Sequence, residues 1–478
     1  VPVALSFTAG VRLDISRSTL CVHGPGRGVL VLGEKSPGIV EVLRRLASGK
    51  STYEALIERA LARGGATGLR ALQESLMHLM AHGWIAHRVN DRGSPIVSAI
   101  PLCSAYPLHV QPLGNRSCRL SRFAYLRQSD AELILESPTA SAQIVFHDVR
   151  AMGLLWQLAR VKETAAAVAP SGLPGSVIRA TTDLLWTAGF LTMLSEVDGV
   201  TEDQRLPLLQ WEFHDLVFHS RSRLGRHRSR YGATYPLEGR VAAPPAIRPR
   251  AAGKRFRLVR PRLGKLARTD WSLTRALETR QSRREHAATP ITRRQLGEFL
   301  YRTSSLRSVN DHQPYQRSRR VYPSGGAAYA VEIYLAVRSC ADLEAGLYHY
   351  CPERHDLRHI AAMTPDVRNL VAGAGRAARA GLPQIVVIMA ARFLRTSWKY
   401  SSISYALILK DVGALMQTMY LVATTMDLAI CAIGGGNSDL FARAAGTDYY
   451  SEGSVGELIL GRPLPPFSRN SSSPRGRS

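Results

Sequence analysis

Acidic residues are scarce in this sequence. Only 37 Asp+Glu stand against 62 Lys+Arg in 478 residues, a formal charge of +25. That deficit calls for an anionic partner, a basic tail or an arginine-biased composition. Cysteines are few as well. Cys21, Cys103, Cys118, Cys340, Cys351 and Cys431 are scattered and form no CxxC pair. This excludes a zinc knuckle or a disulfide scaffold and fits a reduced cytoplasm. Long apolar runs are missing. The longest candidate, 412–426, is interrupted by Gln417 and flanked by Lys410, Asp411 and Asp427, so it reads as a buried helix and not a membrane span. The opening VPVALSFTAG has no basic segment, so no signal peptide is expected. No P-loop, Rossmann GxGxxG or GxSxG motif occurs. His214 and His219 lie five apart without a second ligand cluster, and read as structural histidines; no metal site is expected. What is present is globular: 45% hydrophobic and 21% charged residues, with length for two to four domains.

Charge is concentrated. Residues 221–270 hold 15 Lys+Arg and two acids, Glu238 and Asp270, together with five prolines. Proline removes backbone donors and favours extended chain, so 201–270 is expected to be a basic linker or arm. Residues 466–478 are expected to be a disordered tail.

Before the arm, a weak internal repeat is expected. A hairpin over 11–32 precedes helices built on Ile39, Val40, Val42, Leu43 and Leu46, then on a helix opened by Ser51 with Glu54 three residues on, then on Leu69, Leu72, Leu76, Leu79 and Met80. GWIAHRV follows as a strand. About 105 residues later the order recurs: a strand at 131–135, a helix from Asp148, a short helix at 165–168, a helix over 177–188 and a strand at 189–193. LMAHGWIAHRV and LWTAGFLTML share helix, glycine, aromatic, strand. Each unit, 1–95 and 96–200, resembles a winged helix. From about 290 helices and strands alternate, with Thr292 placed to cap the first helix. Strands are expected at 331–337, 346–350, 385–390, 428–433 and 455–460, and a long buried helix at 405–426. The 271–465 segment reads as a layered α+β domain.

Three motifs in this half carry chemistry. In an extended Arg280-Gln281-Ser282-Arg283-Arg284, alternate residues share a face, so Arg280, Ser282 and Arg284 form a cradle for phosphate and polyol. A solvated basic run would have the same spacing. Pro323-Ser324-Gly325-Gly326 before a strand, and Gly434-Gly435-Gly436 after one, permit close approach by a flat ligand; empty turns would look the same. In Trp398-Lys399-Tyr400 the adjacent cation can lower the phenol pKa and create a general base.

In their order, these motifs resemble the SagB-type (SagB/ThcOx) dehydrogenases. These are azoline oxidases of thiazole- and oxazole-modified peptide biosynthesis, within the nitroreductase-like FMN superfamily. The resemblance runs from 211 to about 462, through WEFHDLVFHSRSRLGR, PSGGAAYAVEIYLAV, GLYHYCPERHDL, the block from Trp398 to Gly436, and EGSVGELILGRP. It implies an α+β fold: a nitroreductase-like FMN domain, with a central sheet flanked by helices, preceded by tandem winged-helix-like units. It implies that Arg280, Ser282 and Arg284 hold the FMN phosphate and ribityl chain, with Arg462 near the phosphate. Pro323, Ser324, Gly325 and Gly326 would lie on one side of the isoalloxazine, and Gly434, Gly435 and Gly436 on the other. Lys399 and Tyr400 match the Lys-Tyr pair of the azoline oxidases, and helix 405–426 matches the central helix of a homodimer with FMN at its interface.

The implied chemistry is oxidation of a thiazoline or oxazoline to an azole in a ribosomally made precursor peptide. Tyr400, its pKa lowered by Lys399, would take the proton from the ring carbon derived from the peptide α-carbon. Hydride would pass from the adjacent ring carbon to flavin N5, and oxygen would reoxidise the flavin. The N-terminal units resemble leader-recognition domains, where a leader adds as a strand; the alternative is that they pack against a cyclodehydratase partner. Two rival classes are an NAD(P)H-dependent nitroreductase and a winged-helix nucleic-acid-binding protein. Against the latter, the basic run interleaves few aromatics, only Tyr231, Tyr235 and Phe256.

Overall fold

The structure is a computed structural model. It describes residues 3–465 except 16–18, 25–27, 35–36, 50, 104, 130, 161–171, 195–200, 250–251 and 312–313. The short helix expected at 165–168 and the tail at 466–478 lie outside the described residues. The chain forms two compact units, Val1–Ser229 and Arg230–Ser478.

In the first unit the helical spacing places Val42, Leu43 and Leu46 of helix Pro37–Ser48 on the core face, where they are fully buried. Helix Tyr53–Ala81 breaks at Gly65, whose backbone leaves the helical region, and so supplies the two expected helices. Thr52, not Ser51, caps it: its hydroxyl accepts from Ala55 N–H at 3.2 Å. The internal repeat has a structural basis. Gly83 and Gly189 both adopt positive φ, 66° and 86°. The following Trp84 and Phe190 N–H groups donate back to Leu79 and Leu185 carbonyls, each at 2.9 Å. Both helices therefore end in the same left-handed glycine stop, which turns a buried aromatic into the core.

The expected pair of separate winged units takes another form. Strands of both halves join one seven-stranded antiparallel sheet, in the order Ser51–Thr52, Ala4–Phe7, Ile85–Asp91, Ser94–Pro101, Ala142–Phe146, Glu132–Glu136, Tyr125–Ser129. The junction is Ser94–Pro101 against Ala142–Phe146. Both strands carry buried apolar residues, including Ile96, Val97, Ile144 and Val145, and pairing them removes two apolar sheet edges.

The second unit contains one seven-stranded antiparallel sheet, ordered Arg255–Arg257, Asp356–Ala362, Gly346–Cys351, Val331–Val337, Ile385–Arg392, Glu452–Gly461, Ala429–Ile433. Its central strands are buried on both faces and read as continuous apolar runs. Helices Arg293–Ser304 and Ser404–Thr425 cover one face through Phe299, Val412, Leu415 and Met419. Helices Pro365–Ala378 and Ser438–Ala445 cover the other through Val371, Phe441 and Ala444. Thr292 forms the expected cap, as a full capping box with Gln295. Helix Ser404–Thr425 runs for 22 residues, and by length and composition alone it would suffice to cross a membrane. One side of it is instead core to this sheet.

The stretch expected as a linker differs most. Residues 213–221 form a helix and Arg255–Arg257 an edge strand. Gly232–Ala233 pairs with Tyr400–Ser401, and Ala246 is fully buried. Proline kept 236–249 irregular, but its backbone groups found partners: the Val241 carbonyl accepts from Trp398 Nε1 at 2.7 Å, and the Pro244 carbonyl from Arg395 at 2.8 Å.

Candidate functional site

The site residues gather in two groups on helix Ser404–Thr425. Near its C-terminal end, the Ser282 hydroxyl and the Tyr420 hydroxyl lie 2.9 Å apart, and the Arg280 guanidinium sits 5.4 Å over the Tyr420 ring. Tyr420 also accepts from Ala432 N–H at 2.8 Å, two residues before Gly434. Arg283 N–H donates to the Ile430 carbonyl, and its side chain pairs with Asp427 at 2.8 Å. Backbone pairing therefore directs Arg283 away from its neighbours, as the expected alternation requires. Arg462 lies beside Ala287, whose N–H donates to its carbonyl at 2.9 Å. Its Nε is buried and has no hydrogen-bond partner among the described residues. Ser282 and Arg284 are exposed.

Toward the other end of the helix, the Ser324 hydroxyl donates to Asp411 at 2.5 Å and the Gly325 N–H donates to the same carboxylate at 2.9 Å. Asp411 thus fixes the Pro323–Gly326 loop on the helix. Burial raises its pKa, and these two hydrogen bonds act against the rise. Gly326 has φ +60°, and a Cβ there would collide with the Tyr400 hydroxyl and come within 3.0 Å of Lys399 Nζ. Glycine is required at this position on both counts. Asp411 and Tyr420 are nine residues apart, about 13 Å along the axis at ~1.5 Å per residue.

Lys399 is 6% exposed, its Nζ lying 5.2 Å from the Tyr400 ring centre and 5.7 Å from that of Tyr315. Burial lowers its pKa, and the Arg317 and Arg395 charges lower it further. Tyr400 behaves opposite to expectation. Burial raises its pKa, as do Tyr235 and Asp411; Arg317, not Lys399, acts against this. The cause is the lost hydration of a phenolate at a half-buried position. The surroundings therefore make the Lys399 amine easier to deprotonate, and the Tyr400 phenol harder, than in water.

Gly434 and Gly435 face open space where a Cβ would project, and Gly436 packs directly on the Glu457 carboxylate. Gly435, Gly436 and Glu457 also line a cavity of about 230 Å³ beside Leu370 and Leu440. Asp411, Tyr420, Glu457 and Arg395 were missed by motif reading. Only Asp411 had a signal: a lone carboxylate inside an apolar helix. His214 accompanies Glu212, and His219 stacks on Trp211 at 5.3 Å. No cluster of potential metal ligands occurs among the described residues.

These features fit FMN. Arg280, Ser282, Arg284 and the buried, unpartnered Arg462 Nε offer charged and hydroxyl donors for a phosphate and its polyol. The open space at Gly434 and Gly435 admits a flat ring.

The nitroreductase family model matches residues 277–462, and that of the cyanobactin oxidase ThcOx matches 118–228. A Methanocaldococcus jannaschii protein assigned to the nitroreductases is 33% identical over 156 residues, 32% of this chain and 74% of that protein. The microcin B17-processing protein McbC of Escherichia coli is 31% identical over 114 residues, 23% of this chain and 42% of its own length. Among solved structures, one assigned to the nitroreductases from Anabaena variabilis has a TM-score of 0.37 at 22% identity, covering 51% of this chain and 45% of that one. The E. coli microcin synthetase McbBCD complex with truncated pro-MccB17 has a TM-score of 0.33 at 19% identity, covering 50% and 85%. The chain belongs to the nitroreductase family and is an FMN-dependent oxidoreductase.

Proposed function

We propose that this protein oxidises thiazolines or oxazolines to thiazoles or oxazoles in a ribosomally made precursor peptide. The observation that carries the reading is the Lys399–Tyr400 pair, held against Gly326 of the Pro323–Gly326 loop. A plain flavin reductase has no use for a buried amine and phenol at that place. The ThcOx and McbC likenesses support the same reading.

Bound FMN supplies the two-electron acceptor for the hydride that leaves the azoline ring carbon next to the α-carbon. Arg280, Ser282, Arg284 and Arg462 would hold its phosphate and ribityl chain. Gly434, Gly435 and Gly436 would admit the ring on one side, and Pro323, Ser324, Gly325 and Gly326 would adjoin it on the other. The chain's own task is the proton. Lys399, kept toward its neutral form, takes the proton from the α-carbon of the azoline. Tyr400 keeps its phenolic proton and donates a hydrogen bond to the substrate. This exchanges the roles expected from sequence, because burial raises the phenol pKa.

The two groups on helix Ser404–Thr425 suit a homodimer in which each flavin site draws on both copies. Tyr405 and Leu409 of that helix are substantially exposed in the single chain. The precursor peptide and a cyclodehydratase are the expected partners. Strand Tyr125–Ser129 is the last strand of its sheet among the described residues, and a leader could add as a strand at that side. We place the reaction in the cytoplasm, where the six free cysteines stay reduced.

The test is incubation of the yellow, FMN-loaded protein with an azoline-bearing peptide, read by mass spectrometry. Loss of two hydrogens per ring supports the reading. Rapid NADPH turnover with no change in the peptide rejects it.

A further inference from the structure

Arg395 is fully buried and has no carboxylate partner among the described residues. Its guanidinium is satisfied by backbone carbonyls alone. Nε and Nη2 donate to Ala328 at 3.1 and 2.8 Å, Nη1 to Pro244 at 2.8 Å, and Nη2 also to Gln316 at 2.9 Å. The guanidinium carbon sits 4.2 Å over the Tyr315 ring, and the Tyr315 hydroxyl donates to the Arg395 carbonyl. An unpaired buried cation is costly, and an apolar side chain would fill this space without that cost. The three carbonyls belong to three segments that border Lys399–Tyr400. Ala328 follows the Pro323–Gly326 loop, Gln316 precedes strand Arg317–Arg320, and Pro244 lies in the segment wrapped over Trp398.

We propose that Arg395 is a positioning residue for azoline oxidation: its guanidinium clamps these three segments around the Lys399–Tyr400 pair. Burial and the Arg317 charge lower the Lys399 pKa, and the Arg395 charge adds to them. The inference rests on the reading that Lys399 takes the substrate proton. The planar fork explains why arginine suits the position, since it reaches three carbonyls that a lysine ammonium could not span together. The other groups near the pair are Arg317, the rings of Tyr315 and Tyr400, and Tyr235, whose N–H donates to the Lys399 carbonyl at 3.0 Å. Asp411 acts on Tyr400 and Tyr315. Of the cations, Arg395 alone is fully enclosed and hydrogen-bonded to all three segments.

The chain has only seven lysines, so Lys399 can be followed individually. FMN-loaded protein carrying lysine labelled with carbon-13 at Cε is titrated by NMR, with Lys399→Arg assigning the signal. In the wild type the Lys399 midpoint should lie below those of the other lysines. In Arg395→Met it should rise, and azole formation should fall about tenfold or more while FMN stays bound. Arg395→Lys should keep the midpoint low yet still slow turnover, because charge is retained and the fork is lost. A wild-type Lys399 that titrates with the exposed lysines overturns the proposal, whether or not Arg395→Met folds. So does an Arg395→Met protein with midpoint and turnover unchanged. A wild type with the low midpoint, lost in Arg395→Met, but with no azoline oxidation supports the clamp and rejects the substrate reading.

Discussion

Gly326 faces the Tyr400 hydroxyl so closely that no Cβ fits between them, and its φ of +60° is one that other residues rarely adopt. Gly326→Ala should therefore cost ~1–3 kcal/mol of stability from strain alone. The alanine should also push the phenol aside and remove most azole formation, with FMN still bound. Thermal unfolding, flavin absorbance and peptide mass together check this.

Lys399→Ala and Tyr400→Phe should each lower azole formation, the lysine variant by about 10²–10⁴-fold, as expected for loss of a general base. Flavin content should not change, since neither side chain belongs to the basic group at Ser282. Normal oxidation by the double variant would falsify the assignment.

Turnover should rise with pH. Lys399 acts as a base only when neutral, and burial with Arg317 and Arg395 brings its midpoint below the ordinary 10.5. The rate should thus climb with pH and level off before that value. A phenolate base at Tyr400 would behave differently: its raised pKa would place the rise above the ordinary 10.0. A profile that levels off below pH 10.0 assigns the base to Lys399, and one still rising above 10.5 assigns it to Tyr400.

Ser282→Ala and Tyr420→Phe should both weaken FMN binding by ~1 kcal/mol, about fivefold in Kd. Their hydroxyls form one chain from Ser282 to the Ala432 N–H. The double variant should therefore lose less than the sum of the two single losses. Flavin fluorescence on release measures all three.

Acid should destabilise the protein in two stages. Burial lowers His87 and His286 to about 4. A buried neutral histidine contributes stability above its unfolded value near 6.5, and that contribution is lost as pH falls toward 4. Glu332 is held at about 2, despite burial that opposes it, by its hydrogen bond to His349 and the charges of Arg320 and Arg392. Its contribution is complete above the unfolded value near 4.5 and is lost as pH falls toward 2. Melting temperature against pH should therefore decline first below 6.5 and more steeply below 4.5.

Much of the second unit was legible because its signals are local. Val331–Val337 and Ile385–Arg392 are apolar runs, and Thr292 with Gln295 forms its cap within one turn. The glycine stops at Gly83 and Gly189 were legible for the same reason. Strand Asp356–Ala362 was not anticipated, since half of it is only partly buried and its pattern is mixed. Residues 201–270 read as a linker or extended arm because proline content describes the backbone and not its partners; within them 241–245 is tied down by distant side chains. Those partners, Arg392, Arg395 and Trp398, lie about 150 residues further along the chain.

The sequence by itself determined the α+β character of the second unit, the spacing of the Arg280–Arg284 and glycine motifs, and the adjacency of Lys399 to Tyr400. Each depends on spacing, side-chain chemistry or backbone freedom within a few residues. Only the tertiary structure decided that both halves of the first unit share one sheet, that Asp411 anchors Ser324 and Gly325, and that Arg395 gathers three carbonyls around the pair. It alone supplied the burial and charges that move the Lys399 and Tyr400 pKa values in opposite directions. A pKa follows desolvation and the nearest charges, and those come from segments distant in sequence that folding brings together.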